Sequence, residues 1–300
     1  MKKPAKKTQL ILALTLVSSF LWIPVSYSEE FKKTIAVSRF DVRVGKSTLG
    51  EGMSDMLADS LIQSGSFVVL ERQTLEDIIT EQDLAASGRA AVSKSAQTGK
   101  LIPSQILIKG TVTEFDEKTE SSGTGIGFGG FNIGSSSTAA HVAVILRIID
   151  TTSAEVLDSI RVEGKAEGSG LKLGGSIAGI SLGTEGFSKT PLGKATQIAI
   201  DNAVEKIVAR LQTIPFSGKI IKVSGDTIYT NLGGRNGVSV GDLFNVYNPG
   251  ESLIDPDTGE NLGSEKTKTG SLKINSVQEK FSKASAETGE LFEKGFQLTE

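Results

Sequence analysis

The apolar pattern of this chain changes period once, at Ile214-Pro215-Phe216-Ser217-Gly218, and the two sides of that break need different architectures. Just before it stands the clearest amphipathic helix in the chain. Thr190-Pro191 opens it with a capping threonine and a proline in the first turn. Ile200, Ala203, Val204, Ile207, Val208 and Leu211 form its apolar stripe, and Asp201, Asn202, Glu205, Lys206 and Arg210 lie opposite. Strand and helix patterns alternate further upstream. Ile35 to Phe40 reads as a strand, and Leu49 to Ser64 as a helix with Met53, Met56, Leu57 and Leu61 on one face. Phe67 to Leu70 is a buried strand. Leu75, Ile78 and Ile79 mark a second helix, with Thr74 and Asp77 at capping-box spacing. Residues 87–100 read at most as a helix fragment. Gln105 to Phe115 alternates again, and His141 to Ile149 and Val156 to Val162 form a hairpin around residues 150–155. Beyond the break only short strands and turns remain. The strands are Lys219 to Val223, Thr227 to Asn231, Leu243 to Tyr247, Gly270 to Ile274 and Lys283 to Ala286. Ser224-Gly225-Asp226, Asn236-Gly237, Asn248-Pro249-Gly250 and Asp257-Thr258-Gly259 are the turns. The expected fold is therefore an α/β domain over residues 29–214 followed by a small all-β, SH3-like barrel over residues 215–300.

Residues 1–28 are set apart as a signal peptide. Lys2, Lys3, Lys6 and Lys7 precede an apolar run from Leu10 to Ile23, and Ser26-Tyr27-Ser28 presents small residues for cleavage after Ser28. The alternative is an uncleaved anchor, but the run is short for a spanning helix and Pro24 closes it. The 300 residues contain no cysteine, which excludes disulfides, thiolate metal sites and a lipid-bearing N-terminal cysteine. A net charge of -3 leaves no basic footprint for nucleic acid.

The motifs that touch on chemistry are weak. Gly45-Lys46-Ser47 resembles a phosphate loop, but Phe40 stands where that loop needs its first glycine. Gly125-Ile126-Gly127-Phe128-Gly129-Gly130 matches the dinucleotide fingerprint in letters, yet Phe131-Asn132-Ile133-Gly134 follows where a helix should start. His141 is the single histidine and reads as structural or surface-exposed. Glu51, Asp55 and Asp59 recur every four residues as a solvated helix face. Asp255-Pro256-Asp257-Thr258-Gly259-Glu260 begins like a calcium loop but lacks its later ligands, and reads as a hairpin turn. No catalytic, cofactor-binding or metal residues are assigned, no cofactor is expected, and an enzyme is the least expected class.

Two glycine-rich stretches remain, one from Ser121 to Ser137 and the other from Gly164 to Gly186. Each holds short alternations: Ile126 and Phe128, then Phe131 and Ile133; and Leu171, Leu173 and Ile177, then Ile180 and Leu182. Outer-membrane strands alternate in this way with a weak signal per strand. Flexible surface loops are equally rich in glycine and serine. In both stretches the phase slips midway, which counts against a continuous strand.

Ile35-Ala36-Val37-Ser38-Arg39-Phe40 resembles the curli production assembly/transport (CsgG-like) family. So do Phe67-Val68-Val69-Leu70-Glu71-Arg72 leading to Glu81, the strand from Ile106 to Phe115, and Val142 to Asp158. The resemblance covers about Ile35 to Leu211. It implies an α/β domain similar to an anticodon-binding domain, facing the periplasm and able to contact the outer membrane through the two glycine-rich stretches. It also implies a homo-oligomeric ring or scaffold that assembles or secretes surface fibres with envelope partners. The alternative is a soluble periplasmic accessory protein without a pore. Three features depart from the family. There is no cysteine to carry a lipid, the segment from Asp41 to Thr48 is short and without aromatic residues, and only Phe128, Phe131 and Phe187 could serve as an aromatic girdle. The tail resembles the C-terminal domain of flagellar assembly protein T, through Gly237-Val238-Ser239-Val240-Gly241-Asp242-Leu243-Phe244 and residues 255–263. That likeness implies a small interaction barrel.

Overall fold

A computed structural model describes residues 31–44, 48–89, 97–98, 100–121, 126–128, 131–133, 135–171, 185–259, 261–289 and 291–300. The signal-peptide segment and Gly45-Lys46-Ser47 lie outside the described residues, as do residues 172–184 of the second glycine-rich stretch.

Strand β1 (Lys33–Val37) is followed by β2 (Asp41–Val42), helix α1 (Thr48–Ser64), strand β3 (Phe67–Leu70) and helix α2 (Leu75–Ala86). Next come β4 (Ile106–Ser121), β5 (Ile126–Phe128), β6 (Phe131–Ile133), β7 (Ser135–Asp150) and β8 (Val156–Leu171). Helices α3 (Glu185–Ser188) and α4 (Pro191–Gln212) close the first half. The main sheet has the order β3-β1-β4-β7-β8, with β2 also on β4. β1 pairs parallel with both β3 and β4, the geometry of a strand–helix–strand crossover through α1. The β4–β7 and β7–β8 pairs are antiparallel.

Strict alternation on β7 and β8 gives the sheet one dry face. Ile108, Val112, Val142, Val144, Leu146, Ile148 and Val162 are buried beneath α1 and α4. Helix α1 contributes Met53, Leu57 and Leu61, while Glu51, Asp55 and Asp59 point to solvent as expected. The other sheet face is open, with Arg147 and Arg161 exposed. The threonine cap of α4 is present: the Gly193 amide donates to the Thr190 hydroxyl at 2.9 Å. The expected cap of α2 is not. Thr74 makes no side-chain cap bond, and the Glu71 carboxylate instead accepts from the amides of Gln73 (2.5 Å) and Thr74 (3.0 Å). A carboxylate one turn back serves these amides better than the hydroxyl, being charged and already aimed at them. β1 also ends earlier than expected, and Phe40 leaves it to cover Gly110 on β4. A Cβ at residue 110 would sit 2.5 Å from the phenyl ring, so only glycine accepts the aromatic there.

Past α4 the chain forms β9 (Ser217–Ser224), β10 (Thr227–Thr230), a 3-10 turn over Gly234–Asn236 and β11 (Leu243–Asn248). Then come β12 (Ser252–Ile254), β13 (Asn261–Ser264), β14 (Thr267–Val277), β15 (Ser282–Thr288) and β16 (Gln297–Thr299). Six of these strands close a barrel in the order β10-β15-β14-β11-β16-β9, while β12 and β13 pair only with each other. Phe216, Phe244, Leu272, Ile274 and Leu298 fill the barrel. Phe31 joins that core from the start of the described chain, stacking on Phe216 at 5.0 Å and lying 5.1 Å from Phe244. Lys32 fixes the crossing: its amide donates to the Asn236 carbonyl at 2.8 Å, and the Asn236 side-chain amide donates back to the Lys32 carbonyl at 3.0 Å.

Candidate functional site

Strands β4, β7 and β8 are 16 residues each, far longer than the five or six residues of an ordinary strand. At 3.4 Å per residue each reaches about 54 Å. Register runs unbroken in direction from Ile106 opposite Asp150 to Ser121 opposite Ser136, with one bulge between Val112 and Glu114. The first glycine-rich stretch is therefore strand where it is described, and the second is strand up to Leu171, with Glu185 and Gly186 opening α3. The first comprises the end of β4, the β5–β6 hairpin and the start of β7; the second begins as the last residues of β8.

The phase slip in the first stretch has a simple origin. Ile126 pairs with Ile133 and Phe128 with Phe131, so the four positions share one face of an antiparallel ribbon, and Gly127 and Asn132 take the other. A chain that turns back must change the parity of its alternation when two residues separate the paired positions. What reads as a broken strand is an intact hairpin.

Helix α4 supports β8 along much of its length. The guanidinium of Arg210, the Lys206 ammonium and the Asn202 amide donate to the carbonyls of Leu157, Arg161 and Glu163 at 3.2, 3.0 and 2.9 Å. They satisfy carbonyls that an edge strand would otherwise leave open. Gly164 then lets the helix backbone come down onto the strand, and Pro191 at the helix start rests against Gly168.

On the open face, beside this seam, lies a charged cluster that spans the three long strands. His141 on β7 faces Glu114 on β4 with Nδ1 at 3.0 Å and Glu163 on β8 with Nε2 at 3.3 Å. Arg161 joins the same two carboxylates, with its terminal nitrogen on Glu114 (2.5 Å) and its Nε on Glu163 (3.0 Å). Lys165 lies 3.6 Å from Glu163. An open depression of about 550 Å³ borders the cluster, between Asp116, Lys118 and Glu167. His141, expected to be structural or surface-exposed, lies with both ring nitrogens within 3.3 Å of carboxylates, between β4 and β8 across β7. Sequence reading missed its partners. Glu114 and Glu163 are 49 residues apart, and only the strand register brings them to either side of Ala143. No group of three or more metal-ligating side chains with suitable geometry occurs among the described residues.

The hydrogen bond from Arg161, and after it that from His141, holds the Glu163 carboxyl below its usual 4.5. The same pairing raises the Arg161 guanidinium, chiefly through Glu114 and then Glu163. A carboxylate whose pKa is depressed on folding stabilises above its unfolded value and loses that contribution as pH falls through the folded one. The thermal-stability gap between the native chain and Glu163→Gln is thus expected to shrink as pH falls below about 4.5. Melting curves below about pH 5 check it. A gap that stays constant or widens over that range would contradict the assignment.

The calcium-like segment is a turn. The Asp255 carboxylate accepts from the amides of Asp257 (2.8 Å) and Thr258 (3.4 Å), between β12 and β13. The Ile126–Phe128 segment of the dinucleotide-like motif is strand β5. No helix among the described residues is long and apolar enough to cross a membrane, which leaves strand-based crossing open.

These features define an α/β scaffold whose helices brace three long strands, joined to a closed β-barrel. The sequence profile of the family described as curli production assembly/transport component CsgG matches residues 19–217. The chain belongs to that family. A second profile, flagellar assembly protein T, C-terminal domain, matches residues 225–292. Curated relatives include the curli production assembly/transport component CsgG of Escherichia coli K12, 24% identical over 132 residues, which are 43% of this chain and 46% of that protein. The Salmonella typhimurium protein of the same name matches to the same extent. This chain thus spans about half the length of the curated relatives it matches. Among solved structures it is similar to a hypothetical protein from Chlamydia trachomatis, with 13% identity and a TM-score of 0.38 over 61% of this chain and 99% of that chain. It is also similar to a PelC dodecamer from Paraburkholderia phytofirmans, with 14% identity and a TM-score of 0.30 over 62% of this chain and 91% of that chain. Both scores are too low to establish a shared fold.

Proposed function

We propose that this chain is an exported envelope protein that works in assembly or secretion of surface structures. It acts as an oligomeric ring or scaffold rather than by turnover. Its first domain, anticodon-binding-domain-like in arrangement, faces the periplasm. Strands β4, β7 and β8 carry the glycine-rich stretches toward the outer membrane, and no lipid anchor is used. The observation that carries this reading is the antiparallel register of β4 and β7, which runs from the braced sheet to Ser121 opposite Ser136, together with the separate β5–β6 pair that sets Ile126 opposite Ile133 and Phe128 opposite Phe131. Apolar residues at alternate positions of paired strands are what a membrane contact requires. Family membership adds the assembly and transport context.

A second reading, a soluble periplasmic accessory protein without a pore, is favoured by the sequence of β4 beyond Phe115, where Asp116, Glu117, Lys118, Thr119 and Glu120 show none of the apolar alternation of a lipid-facing strand. Cell fractionation separates the two. The first reading expects the protein in outer-membrane pellets after a high-salt wash; complete release by osmotic shock as a monomer contradicts it.

A further inference from the structure

The β12–β13 ribbon extends from the barrel between β11 and β14 as an arm and pairs with no other strand among the described residues. Leu253 and Ile254 stand on either side of a register shift in the ribbon, and both are more than half exposed. Leu262 on β13 is 63% exposed. An isolated two-stranded ribbon is marginal in water, and one that exposes three large apolar side chains gains stability by docking. Before β16, Leu291 is 87% exposed and held at a φ of 62°. Gly289, two residues earlier, has its backbone against Thr269 and Gly270 of β14. A leucine in the left-handed region is strained, a condition that persists where the surroundings or a function require it.

The arm's own sequence is acidic, with Lys266 the first basic residue beyond it. Residues 250–265 hold five acidic residues (Glu251, Asp255, Asp257, Glu260 and Glu265) and no lysine or arginine. The same barrel carries the opposite character elsewhere. Lys222 on β9 and Lys283 on β15 flank Tyr229 on β10 in register, with their ammonium groups 5.6 and 5.7 Å from the ring centre. Neither lysine has an ion-pair partner among the described residues, and two ammonium groups converging on one ring want an anion. Ile221 and Val223 beside them are exposed. Asp226 in the adjoining turn is the nearest acid in the β9–β10 sequence. The arm thus has apolar side chains rimmed by acid, and this ridge has apolar side chains rimmed by base.

We infer that the β12–β13 arm of one copy docks on the β9–β10–β15 ridge of another copy of this chain. The inference rests on the reading of the chain as a self-assembling scaffold and names a contact within it. Arm and ridge are different surfaces, so each copy carries both halves of the joint, and repetition of one such joint builds rings. Apolar contact supplies affinity, while the charged rims set partner choice and rate.

The native chain has no cysteine, so introduced thiols report one contact at a time. Full-length Leu262→Cys protein mixed with full-length Ile221→Cys protein is expected to give a mixed disulfide on mild oxidation, well above the yield of either alone. Lys222→Glu with Lys283→Glu should weaken association at least about tenfold. Asp257→Lys with Glu265→Lys should do the same, and mixing the two reversed proteins should restore it. Circular dichroism confirms folding, since all these sites are on the surface. Association that is unchanged in both reversed variants, together with no mixed disulfide, overturns the arm contact. If a ring persists under those conditions, only this inference fails. A mixed disulfide from a chain that forms no ring leaves the arm contact standing and removes the ring.

Discussion

Replacing Gly164 with alanine is expected to destabilise the first domain by about 3 kcal/mol or more, and with valine to prevent its helix from docking. A Cβ at this position would lie 1.9 Å from the Ala195 carbonyl oxygen and 2.6 Å from the Ala199 amide nitrogen. Both are backbone atoms of α4 in mid-helix, so no side chain can rotate away. The helix must lift from β8 instead. Lifting it strains the bonds that Asn202, Lys206 and Arg210 make to the β8 carbonyls, and loosens the packing of Ala195, Ala199, Ala203 and Ile207. Gly168→Ala is the internal comparison. Its Cβ would meet only the Pro191 side chain, at 2.7 Å, near the helix start, so about 1 kcal/mol is expected. For a domain of this size, thermal unfolding should separate the two variants by several degrees. Equal midpoints for Gly164→Ala and Gly168→Ala would mean that the seam between α4 and β8 is looser than the geometry shows.

Phe244→Ala is the second large effect, expected at about 3–5 kcal/mol on the barrel. The ring is fully buried and stands 5.1 Å from Phe31 and 6.5 Å from Phe216. Its removal leaves a cavity between the start of the described chain, the inter-domain segment and β11. Closing that cavity would require Phe31 or Phe216 to move, and each is tied to backbone already hydrogen-bonded in the fold. A small domain has about 5–15 kcal/mol of stability in total, so the variant barrel should melt far below the native one. Guanidinium unfolding followed by near-ultraviolet circular dichroism measures the loss. A value under about 1 kcal/mol would show that the three phenylalanines do not form one core.

What the sequence revealed depended on where local pattern and tertiary demand agree. Helix α4, with its Thr190 cap and its stripe from Ile200 to Leu211, is legible because cap, proline and periodicity coincide. The strand Phe67–Leu70, which lies at the sheet edge with its four residues half-buried rather than buried as expected, is legible for its apolar run. The full length of β4, β7 and β8 is not. Alternation predicts β4 only to Phe115, because Glu117, Lys118, Thr119 and Glu120 carry no apolar period. Those residues become strand because β7 pairs with them: pairing partners, more than propensity, decide strand extent. The same reasoning explains the start of β7 at Ser135 and the end of β8 at Leu171, both in serine- and glycine-rich sequence. β12, β13 and β16 are too short to show a period at all. In the candidate site, His141 was visible as a single residue, but its grip on Glu114 and Glu163 depends on a register that no local signal encodes. Parity was the one clue within reach. The switch between Phe128 and Phe131 that argued against a strand is the mark of two strands pairing across a turn.

The central claim is that this member of the CsgG family works as an assembled ring or scaffold at the envelope. The most direct test is the mass of the full chain extracted from membranes in mild detergent, measured by light scattering alongside sedimentation. A single closed species of many identical subunits, retained after a high-salt wash, is the expected result. A monomer of 31.6 kDa or less at every concentration, released entirely into the soluble fraction, would contradict it.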